Sequence, residues 1–382
     1  MITHVFNSSI VSGPETLVIP ALNSLEKEVS IVFLVETRQW EQAQKPIEYA
    51  KNLGHKVYPV SVRKRWDKQA FQELRDVLDK IKPSIVHAHD VKASVYLRQA
   101  TLVRPGFKAS LVSTHHGAAY RKGKIRLYEE YYVRFILPHF DKVLCVCEID
   151  RKSIIRRGVP EEKVFIHLNG TDRLRVEPEE KKKIAYEIRT RWKQLVPGLP
   201  DPDKAIFLGA VARLSPEKRH DRMLHVLQFL HSSHRTLRPI LLCFGTGAEE
   251  GRLRALAWQL GVEDHVFWMG YSPTVSNEMA GFDLVLSLSD GEGIPISLLE
   301  AGWAGTPVVA TEVGGIPDLI SSHEYGLLVR REHRNAEIAW SVQDMLLNRP
   351  KMKQVGHAFQ ARVMSKFSQK AWLARLNEIY LN

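Results

Sequence analysis

Short apolar strands alternate with amphipathic helices along almost the whole chain, and this alternation limits the folds open to it. The first half contains the strand-like segments SIVFLVET, KVYPVSV, SIVHAHD, ASLVSTHH, KVLCVCE and KVFIHLN. The second half contains AIFLGAVARL, PILLCFGTG, HVFWMGY, FDLVLSLS, TPVVATE and YGLLVR. Helical segments such as WDKQAFQELRDVLDKIK lie between them. Strand–helix–strand alternation predicts parallel sheets with helices on both faces.

A charged segment from residue 173 to residue 204, ending in VPGLPDPDK, interrupts the alternation and predicts a domain boundary. We therefore expect an α/β protein with two doubly wound, Rossmann-like domains facing a central cleft. The expected bounds are 1–175 for the first domain, 176–203 for a linker region and 204–365 for the second domain. Ligands of open parallel sheets bind at the carboxyl ends of the strands, so the cleft is the expected site of chemistry.

The composition is that of a soluble globular protein. Of 382 residues, 44% are hydrophobic and 25% are charged, and no apolar run reaches the ~20 residues that cross a bilayer. The start, MITHVFNSSIVSG, does not resemble a signal peptide. The three cysteines lie in strand-like segments, which argues against a disulfide framework or a metal site. We expect a cytoplasmic protein that needs no metal.

The stretch SLSDGEGIPISLLEAGWAGTPVVATEVGGIPDLI, residues 287–320, predicts a strand, a loop, a helix and a second strand. Pro295 suits the first helical turn, and the helix N-terminus suits a phosphate. Glu292 and Glu300 could bind hydroxyl groups on either side of that phosphate, as in a nucleotide sugar. Alternatively, Glu292 caps the helix and Glu300 is solvated. The amides expected to face the anion are those of Gly293, Ile294 and Ile296.

Two cations follow another strand in LGAVARLSPEKRHDRMLHVLQFL. Arg213 leaves the carboxyl end of the strand and Lys218 follows five residues later, so both could neutralise a diphosphate. The alternative is that they are two surface cations near a helix start. Gly245, in the GTG turn after ILLCF, is a weak signal for a second tight turn at the same edge.

These segments together resemble a known family. EGIPISLLEA followed by GTPVVATEVGGIPDLI, preceded by GAVARLSPEKRHD and HLNGTDR, is similar to the retaining GT-B glycosyltransferases of family 4. The resemblance covers most of residues 80–380. It implies that Glu292 contacts the donor sugar, Glu300 the nucleotide ribose, and Arg213 and Lys218 the diphosphate. It also implies that Gly245 borders the base and that a terminal helix, residues 366–382, packs back on the first domain.

The first domain carries the remaining candidates. His116, in SLVSTHHGAAYRKGK, matches the family histidine that contacts the transferred sugar, whereas His115 is expected to be packed. His87 and His89 either line the acceptor side or are structural. Family members often have two glycines in the loop after the first strand, but this chain has only Gly13, which could still admit the phosphates.

The positive charge is concentrated in the first half. The net charge is +11, and residues 51–150 hold 19 Lys and Arg against 10 Asp and Glu. Basic residues beside aromatic ones suit an anionic membrane surface that presents a lipid-linked acceptor. A solvated surface is the alternative, and the chain contains no recognised nucleic-acid module. The residues proposed for the membrane surface are Arg63, Lys64, Arg65, Trp66, Lys122 and Lys124.

The predicted function is transfer of a sugar from a nucleoside diphosphate sugar to an acceptor hydroxyl. UDP is the expected nucleotide and GDP the alternative. By resemblance, bacterial lipopolysaccharide, O-antigen or exopolysaccharide assembly is the expected pathway, and the nucleotide sugar is a substrate rather than a cofactor. Two other functions remain open: a sugar-nucleotide 2-epimerase, which needs no acceptor, and a non-catalytic nucleotide-binding scaffold.

Overall fold

A computed structural model describes residues 1–9, 11, 13–102, 106–116, 124–173, 175–233 and 237–381, and it excludes the side chains of residues 13, 14 and 124–126. The chain forms two compact units. The first comprises Met1–Asn169 with Gln369–Asn382, and the second comprises Gly170–Ser368. Each contains one parallel sheet with interleaved helices, so the predicted α/β class with two Rossmann-like domains is confirmed.

The sheet of the first unit has seven parallel strands in the order β3-β2-β1-β4-β5-β6-β7. Its strands are β1 (Ile2–Phe6), β2 (Val29–Glu36), β3 (Lys56–Val62), β4 (Ile85–Ala88), β5 (Ser110–His115), β6 (Lys142–Cys145) and β7 (Val164–Ile166). Its first six helices are α1 (Gly13–Ala21), α2 (Trp40–Asn52), α3 (Lys68–Ile81), α4 (Val91–Thr101), α5 (Lys124–Tyr131) and α6 (Glu148–Arg156). A π-helical segment, Tyr132–Ile136, continues α5.

The sheet of the second unit has six parallel strands in the order β10-β9-β8-β11-β12-β13. These are β8 (Ile206–Val211), β9 (Pro239–Phe244), β10 (Val266–Gly270), β11 (Leu284–Ser287), β12 (Val308–Thr311) and β13 (Leu327–Val329). The helices are α7 (Lys181–Leu195), α8 (His220–Ser233), α9 (Glu250–Gln259), α10 (Ile296–Trp303), α11 (Ile316–Leu319), α12 (Asn335–Leu347) and α13 (Arg349–Lys366).

The segment predicted as a linker, residues 176–203, is part of the second unit. Helix α7 buries Trp192, whose ring lies 5.1 Å from that of Phe282 and 6.2 Å from that of Phe207. Gly281 lies against the same indole, where a Cβ atom would come within 2.5 Å of it. The segment is irregular only in residues 176–180 and in its Pro- and Gly-rich end, because the helix between them is held by this aromatic cluster.

The last helix, α14 (Gln369–Leu381), belongs to the first unit. The Tyr380 hydroxyl lies 2.7 Å from Nδ1 of His87, and the Lys142 ammonium donates to the carbonyl of Ile379 at 2.5 Å. Trp372 is buried, and its ring centroid lies 4.7 Å from that of His167. Within the described residues, no helix combines the length and the apolar character needed to span a bilayer.

Candidate active site

Helix α10 begins directly after the loop that follows β11. Pro295 is its N-cap, with φ −66° and ψ 126°, so Ile296 rather than Pro295 is the first helical residue. The prediction that Pro295 lies in the first turn is therefore wrong by one residue, because its extended ψ angle keeps it out of the helix. Gly293 and Ile294 lie in the preceding loop. The amides of the first turn lack intrahelical acceptors and carry the positive end of the helix dipole.

A glycine after β12 fixes the loop that carries Glu292. Gly314 has φ +55°, and a Cβ atom there would lie 1.6 Å from the carbonyl oxygen of Glu292. The next residue, Gly315, donates its amide to the carbonyl of Gly293 at 3.0 Å. Only glycine allows this approach of two backbones. The sequence VGGIP, which follows the neighbouring strand β12, therefore fixes the backbone position of Glu292.

Glu292 forms an ion pair with Lys218. The Lys218 ammonium lies 2.5 Å from Oε1 of Glu292, and their side chains are only 17% and 11% exposed. The helix has no side-chain cap, so the alternative in which Glu292 caps α10 is wrong. The structure brings together two residues that the sequence assigned to neighbouring parts of one ligand. A diphosphate that recruits Lys218 must share its ammonium with Glu292 or release the carboxylate.

Glu300 is buried and paired as well, so the alternative in which it is solvated is also wrong. It is 8% exposed, and Nε of Arg173 donates to its Oε1 at 2.9 Å. Burial raises the pKa of Glu300, and the nearby Arg173 guanidinium opposes that shift. Arg173 is the last residue of the HLNGTDR motif, but nothing in the sequence indicates its role, because 127 positions separate it from Glu300.

The GTG turn after β9 holds the loop that carries Arg213. Gly245 has φ +139°, and a Cβ atom there would lie 2.0 Å from the carbonyl oxygen of Ala212. Leu214 donates its amide to Thr246 at 3.0 Å. The Arg213 side chain is 72% exposed, and its ion pair with Glu217 is long, at 3.5 Å. Arg213 therefore has the freedom to move toward a ligand, unlike Lys218.

An acidic residue that the sequence analysis did not single out joins the same loops. Asp290 donates its amide to the carbonyl of Glu217 at 2.8 Å. Its carboxylate accepts from Arg219 at 3.0 Å and from Arg331 at 3.3 Å. Arg219 has φ 52°, a left-handed conformation that is uncommon for a residue other than glycine. These bonds tie the loop after β8 to the loop after β11, and the acid of the DGEG motif was the available signal.

In the first unit, His116 comes directly after β5 and is partly buried. Burial lowers the pKa of His116 to about 4, and a hydrogen bond with the backbone of His89 acts in the opposite direction. Its Nε2 atom is buried without a hydrogen-bond partner among the described residues. His116 is therefore a neutral imidazole at pH 7 with one ring nitrogen available. His115 is buried and stacks on Tyr132 at 5.9 Å, as predicted for a packed residue.

Three buried histidines lie beside one another in the first unit: His4 and His87 on neighbouring strands, and His89 directly after β4. His4 of β1 is in register with His87 of β4, and Nδ1 of His4 lies 2.7 Å from Nε2 of His89. Their ligand atoms lie within 4.8 Å of one another, close enough to be considered as a metal set. Both ring nitrogens of His87, however, already contact hydroxyl groups at 2.7 Å, those of Tyr380 and Thr114. These contacts favour the structural role for His87.

Three predicted residues, Gly13, Lys122 and Lys124, lie partly or wholly outside the described part of the chain. Gly13 is the first residue of α1, and its surroundings are outside the described residues. The same holds for Lys122 and for the side chain of Lys124. Arg63, Lys64, Arg65 and Trp66 follow β3 and are exposed.

Comparison with known families divides the chain as its fold does. Residues 11–175 match the family model "Glycosyltransferase Family 4", and residues 193–362 match the model "Glycosyl transferases group 1". The two matches do not overlap: the first lies in the first unit except for residues 170–175, and the second lies wholly in the second unit.

Among related sequences, an O-antigen biosynthesis glycosyltransferase of Escherichia coli, WbnH, is 26% identical over 333 residues, which is 85% of this chain and 84% of that protein. An uncharacterized glycosyltransferase of Methanocaldococcus jannaschii is 29% identical over 50% of this chain, and the match spans 46% of that protein. A putative colanic acid biosynthesis glycosyltransferase of Salmonella typhimurium, WcaL, is 27% identical over 60% of this chain and 54% of that protein.

Solved structures share the whole fold. HepE of Anabaena in complex with UDP superposes with a TM-score of 0.80 over 99% of this chain and 98% of that one, at 17% identity. The lipopolysaccharide outer core galactosyltransferase WaaB, in its apo form, has a TM-score of 0.74 over 100% of this chain and 99% of that one, at 18% identity. At these identities the likeness concerns the GT-B fold.

Proposed function

Since the chain belongs to the family 4 glycosyltransferases, we propose that it transfers a sugar from a nucleoside diphosphate sugar to an acceptor hydroxyl with retention of configuration. The observation that carries this proposal is the Lys218–Glu292 ion pair in the loops beside the N-terminus of α10. A cation, a carboxylate and the backbone amides at the N-terminus of α10 meet the needs of a diphosphate joined to a polyhydroxyl group.

The donor diphosphate would bind at the N-terminus of α10. The amides of Gly293, Ile294 and Ile296 would face its oxygens, with Lys218 supplying a point charge and Arg213 turning in from solvent. Glu292, once it shares or releases Lys218, would accept hydrogen bonds from sugar hydroxyls. Such donors stabilise the charge that develops on the leaving group, and removing one costs about 10²–10³ in turnover.

Glu300 would bind the nucleotide ribose. Its carboxylate is held by Arg173 through Oε1, which fixes its direction without a ligand. A positioned carboxylate accepts two ribose hydroxyls well, and the paired arginine opposes the rise in the Glu300 pKa that burial causes. Gly245 would lie near the base, and Gly13 of the first unit would allow the backbone close to the phosphates.

The reaction would proceed by attack on the face from which the diphosphate leaves. The bond between the anomeric carbon and the phosphate oxygen breaks as the bond to the acceptor oxygen forms. The acceptor proton passes to an oxygen of the departing diphosphate, so no protein base is required. His116, neutral at pH 7, would hydrogen-bond a hydroxyl of the transferred sugar.

UDP is the proposed nucleotide because HepE was solved with UDP and with UDP-glucose, and GDP is the alternative. The relatives named for O-antigen and colanic acid biosynthesis support a bacterial surface polysaccharide as the product. We propose that the enzyme needs no metal, because Lys218, Arg213 and helix amides supply the positive charge. We also propose that the protein is cytoplasmic and acts at the inner face of the cell membrane.

A thermal-shift panel of UDP, GDP, ADP and their sugars tests donor binding, and mass spectrometry of products from a donor-by-acceptor screen tests transfer. We expect stabilisation by one nucleotide and a product heavier than the acceptor by one sugar. Isomerised sugar without an acceptor would indicate a 2-epimerase instead. Nucleotide binding with no turnover of any donor would indicate a scaffold, and no nucleotide binding would contradict the proposal.

A further inference from the structure

The first unit contains a cationic cavity of about 380 Å³ that the donor chemistry does not use. It lies at the carboxyl ends of two adjacent strands, β2 and β3, which is the edge where parallel sheets bind ligands. It is lined by Glu36, Arg38, Arg63, Lys64, Arg65, Lys92 and Tyr128, together with Thr37 and Val62. Five of these residues are cations and one is an acid.

The single acid is already neutralised. Lys92 pairs with Glu36 at 2.6 Å, and the lysine side chain is only 16% exposed. The Arg63 guanidinium donates to the neutral amide of Gln69 at 2.6 Å. The Arg65 guanidinium lies over the ring of Tyr128, 4.1 Å from its centroid. Within the described residues neither Arg63 nor Arg65 forms an ion pair, but the Asp67 carboxylate accepts from the backbone amide of Arg63 at 2.9 Å and offsets part of the Arg63 charge.

Lys64 and Arg38 are exposed at the same cavity and likewise form no ion pair within the described residues. The backbone of Lys64 is nevertheless fixed, because the Tyr96 hydroxyl donates to its carbonyl at 2.9 Å. The Lys64 side chain therefore projects from an anchored loop after β3, and Arg38 lies in a short 3-10 turn, Thr37–Gln39, that directly follows β2. The guanidinium group of arginine and the ammonium group of lysine are the side-chain donors that bind phosphate oxygens most strongly.

Tyr128 provides an independent sign of a missing ligand. Its hydroxyl is buried and has no hydrogen-bond partner among the described residues. Burial raises the pKa of Tyr128 to about 12, so the phenol keeps its proton and is a donor at any physiological pH. Buried donors are nearly always paired in folded proteins, and an anion in this cavity would supply the acceptor.

We propose that this cavity binds a phosphate group carried by the acceptor. The inference rests on the proposed glycosyl transfer, and it narrows the acceptor to phosphate-bearing molecules, either soluble esters or lipid headgroups. A concave site with converging donors suits one discrete phosphate, whereas the sequence alone suggested that Arg63, Lys64 and Arg65 belong to a broad contact with a membrane surface.

The test is calorimetric titration of the full chain with glycerol 3-phosphate at fixed ionic strength, with glycerol as the neutral probe. Saturating UDP is included in a second series, so that phosphate sites for the donor are filled. We expect binding of the phosphate ester in both series and none of glycerol. The Arg38→Gln/Lys64→Gln variant should weaken binding at least about tenfold, as expected for loss of charge-assisted hydrogen bonds.

The matched control is Lys51→Gln/Lys80→Gln, which removes the same charge from exposed lysines in the last turns of α2 and α3. It should bind like the parent protein. Tyr128→Phe should weaken binding about threefold or more, with an unchanged or higher melting temperature because it deletes an unpaired buried hydroxyl. Equal weakening in the control and in the cavity variant would overturn the proposal.

Vesicles distinguish the two sources of phosphate. Phosphatidylcholine vesicles containing phosphatidic acid, released by soluble glycerol 3-phosphate, would identify a lipid phosphate in the cavity. Binding of the soluble ester without vesicle binding would identify a soluble acceptor. Vesicle binding that neither glycerol 3-phosphate nor the cavity variant affects would overturn the cavity in favour of a surface contact. UDP binding without phosphate-ester binding would overturn this inference and leave the proposed transfer standing. Phosphate-ester binding without binding of any nucleotide would overturn the proposed transfer, and with it the assignment of this phosphate to an acceptor.

Discussion

The candidate site of the second unit and the sheet edge of the first unit handle charge in opposite ways. At the candidate site of the second unit the half-buried and buried ions are paired before any ligand arrives, as in Lys218–Glu292 and Arg173–Glu300. In the first unit the buried titratable groups near the sheet edge are mostly neutral histidines, and several cations have no acid beside them. A ligand of the second unit must therefore exchange partners, while a ligand of the first unit can add to free charge.

The largest effect expected from this contrast is acid lability of the first unit. Burial lowers the pKa of His4 to about 3 and those of His116 and His167 to about 4, and it also lowers the pKa values of His87 and His89. Each folded-state pKa lies below the unfolded value of 6.5. The stability is thus complete above pH 6.5 and is lost as the pH falls, by about 1.4 kcal/mol per pH unit for each such histidine.

Asp90 opposes this trend. Burial raises its pKa to about 6, so as the pH falls the folded protein binds the Asp90 proton before the unfolded chain does and is stabilised by it. Between pH 6.5 and pH 5, His4, His116 and His167 together lose about 6 kcal/mol and Asp90 returns about 1.4 kcal/mol, so we expect a net loss of about 5 kcal/mol or more from the first unit, to which His87 and His89 add in the same direction. Calorimetry at both pH values, with hydrogen exchange to assign the units, measures it. His167→Asn should reduce the slope. Equal acid sensitivity of both units would break the contrast.

The second effect concerns Lys218 and Arg213. Alanine at either position should reduce turnover by about 10²–10³, as for loss of one preorganised electrostatic donor. Their effects on folding should differ. Lys218→Ala leaves the Glu292 carboxylate buried without its partner and should cost about 1–3 kcal/mol, whereas Arg213 is 72% exposed and Arg213→Ala should be nearly neutral.

Steady-state kinetics and denaturant unfolding measure the two quantities, and Lys351→Ala, at an exposed lysine of α13, is the control. Unchanged turnover in Lys218→Ala would remove that lysine from the donor site. Equal loss of unfolding free energy in Lys218→Ala and Arg213→Ala would show that the Lys218–Glu292 ion pair does not make Lys218 the more important of the two residues for stability.

A third effect tests whether backbone approach positions Glu292. Gly314→Ala places a Cβ atom against the Glu292 carbonyl at a φ of +55°, and should destabilise the second unit by about 2–3 kcal/mol. Gly251→Ala in α9 is the control, since no atom lies within 4 Å of its added Cβ. That variant should be neutral or more stable by up to about 1 kcal/mol. Similar melting temperatures for both variants would contradict the assigned role.

The smallest expected effect is that of chelation. Turnover measured with and without EDTA should be the same, because the positive charge at the diphosphate comes from Lys218, Arg213 and helix amides. Loss of turnover on chelation, restored by a divalent cation, would show that those groups are insufficient.

The sequence predicted the fold class well because strand–helix alternation is a local pattern that needs no long-range information. It misplaced the boundary of the second unit because the burial of Trp192 against Phe282 depends on residues about ninety positions apart. The same limit applies to the site. Motifs identified Lys218, Glu292 and Glu300, but the pairing of Lys218 with Glu292 over 74 positions, and of Arg173 with Glu300, depends on the folded chain.

A crystal structure of the protein with UDP tests the central claim most directly. We predict that the diphosphate lies at the N-terminus of α10, with the Lys218 ammonium within hydrogen-bonding distance of a phosphate oxygen and Arg213 turned toward it. Glu292 should then share or have lost its contact with Lys218. A nucleotide bound elsewhere, with the Lys218–Glu292 pair intact and Arg213 still in solvent, would contradict the account.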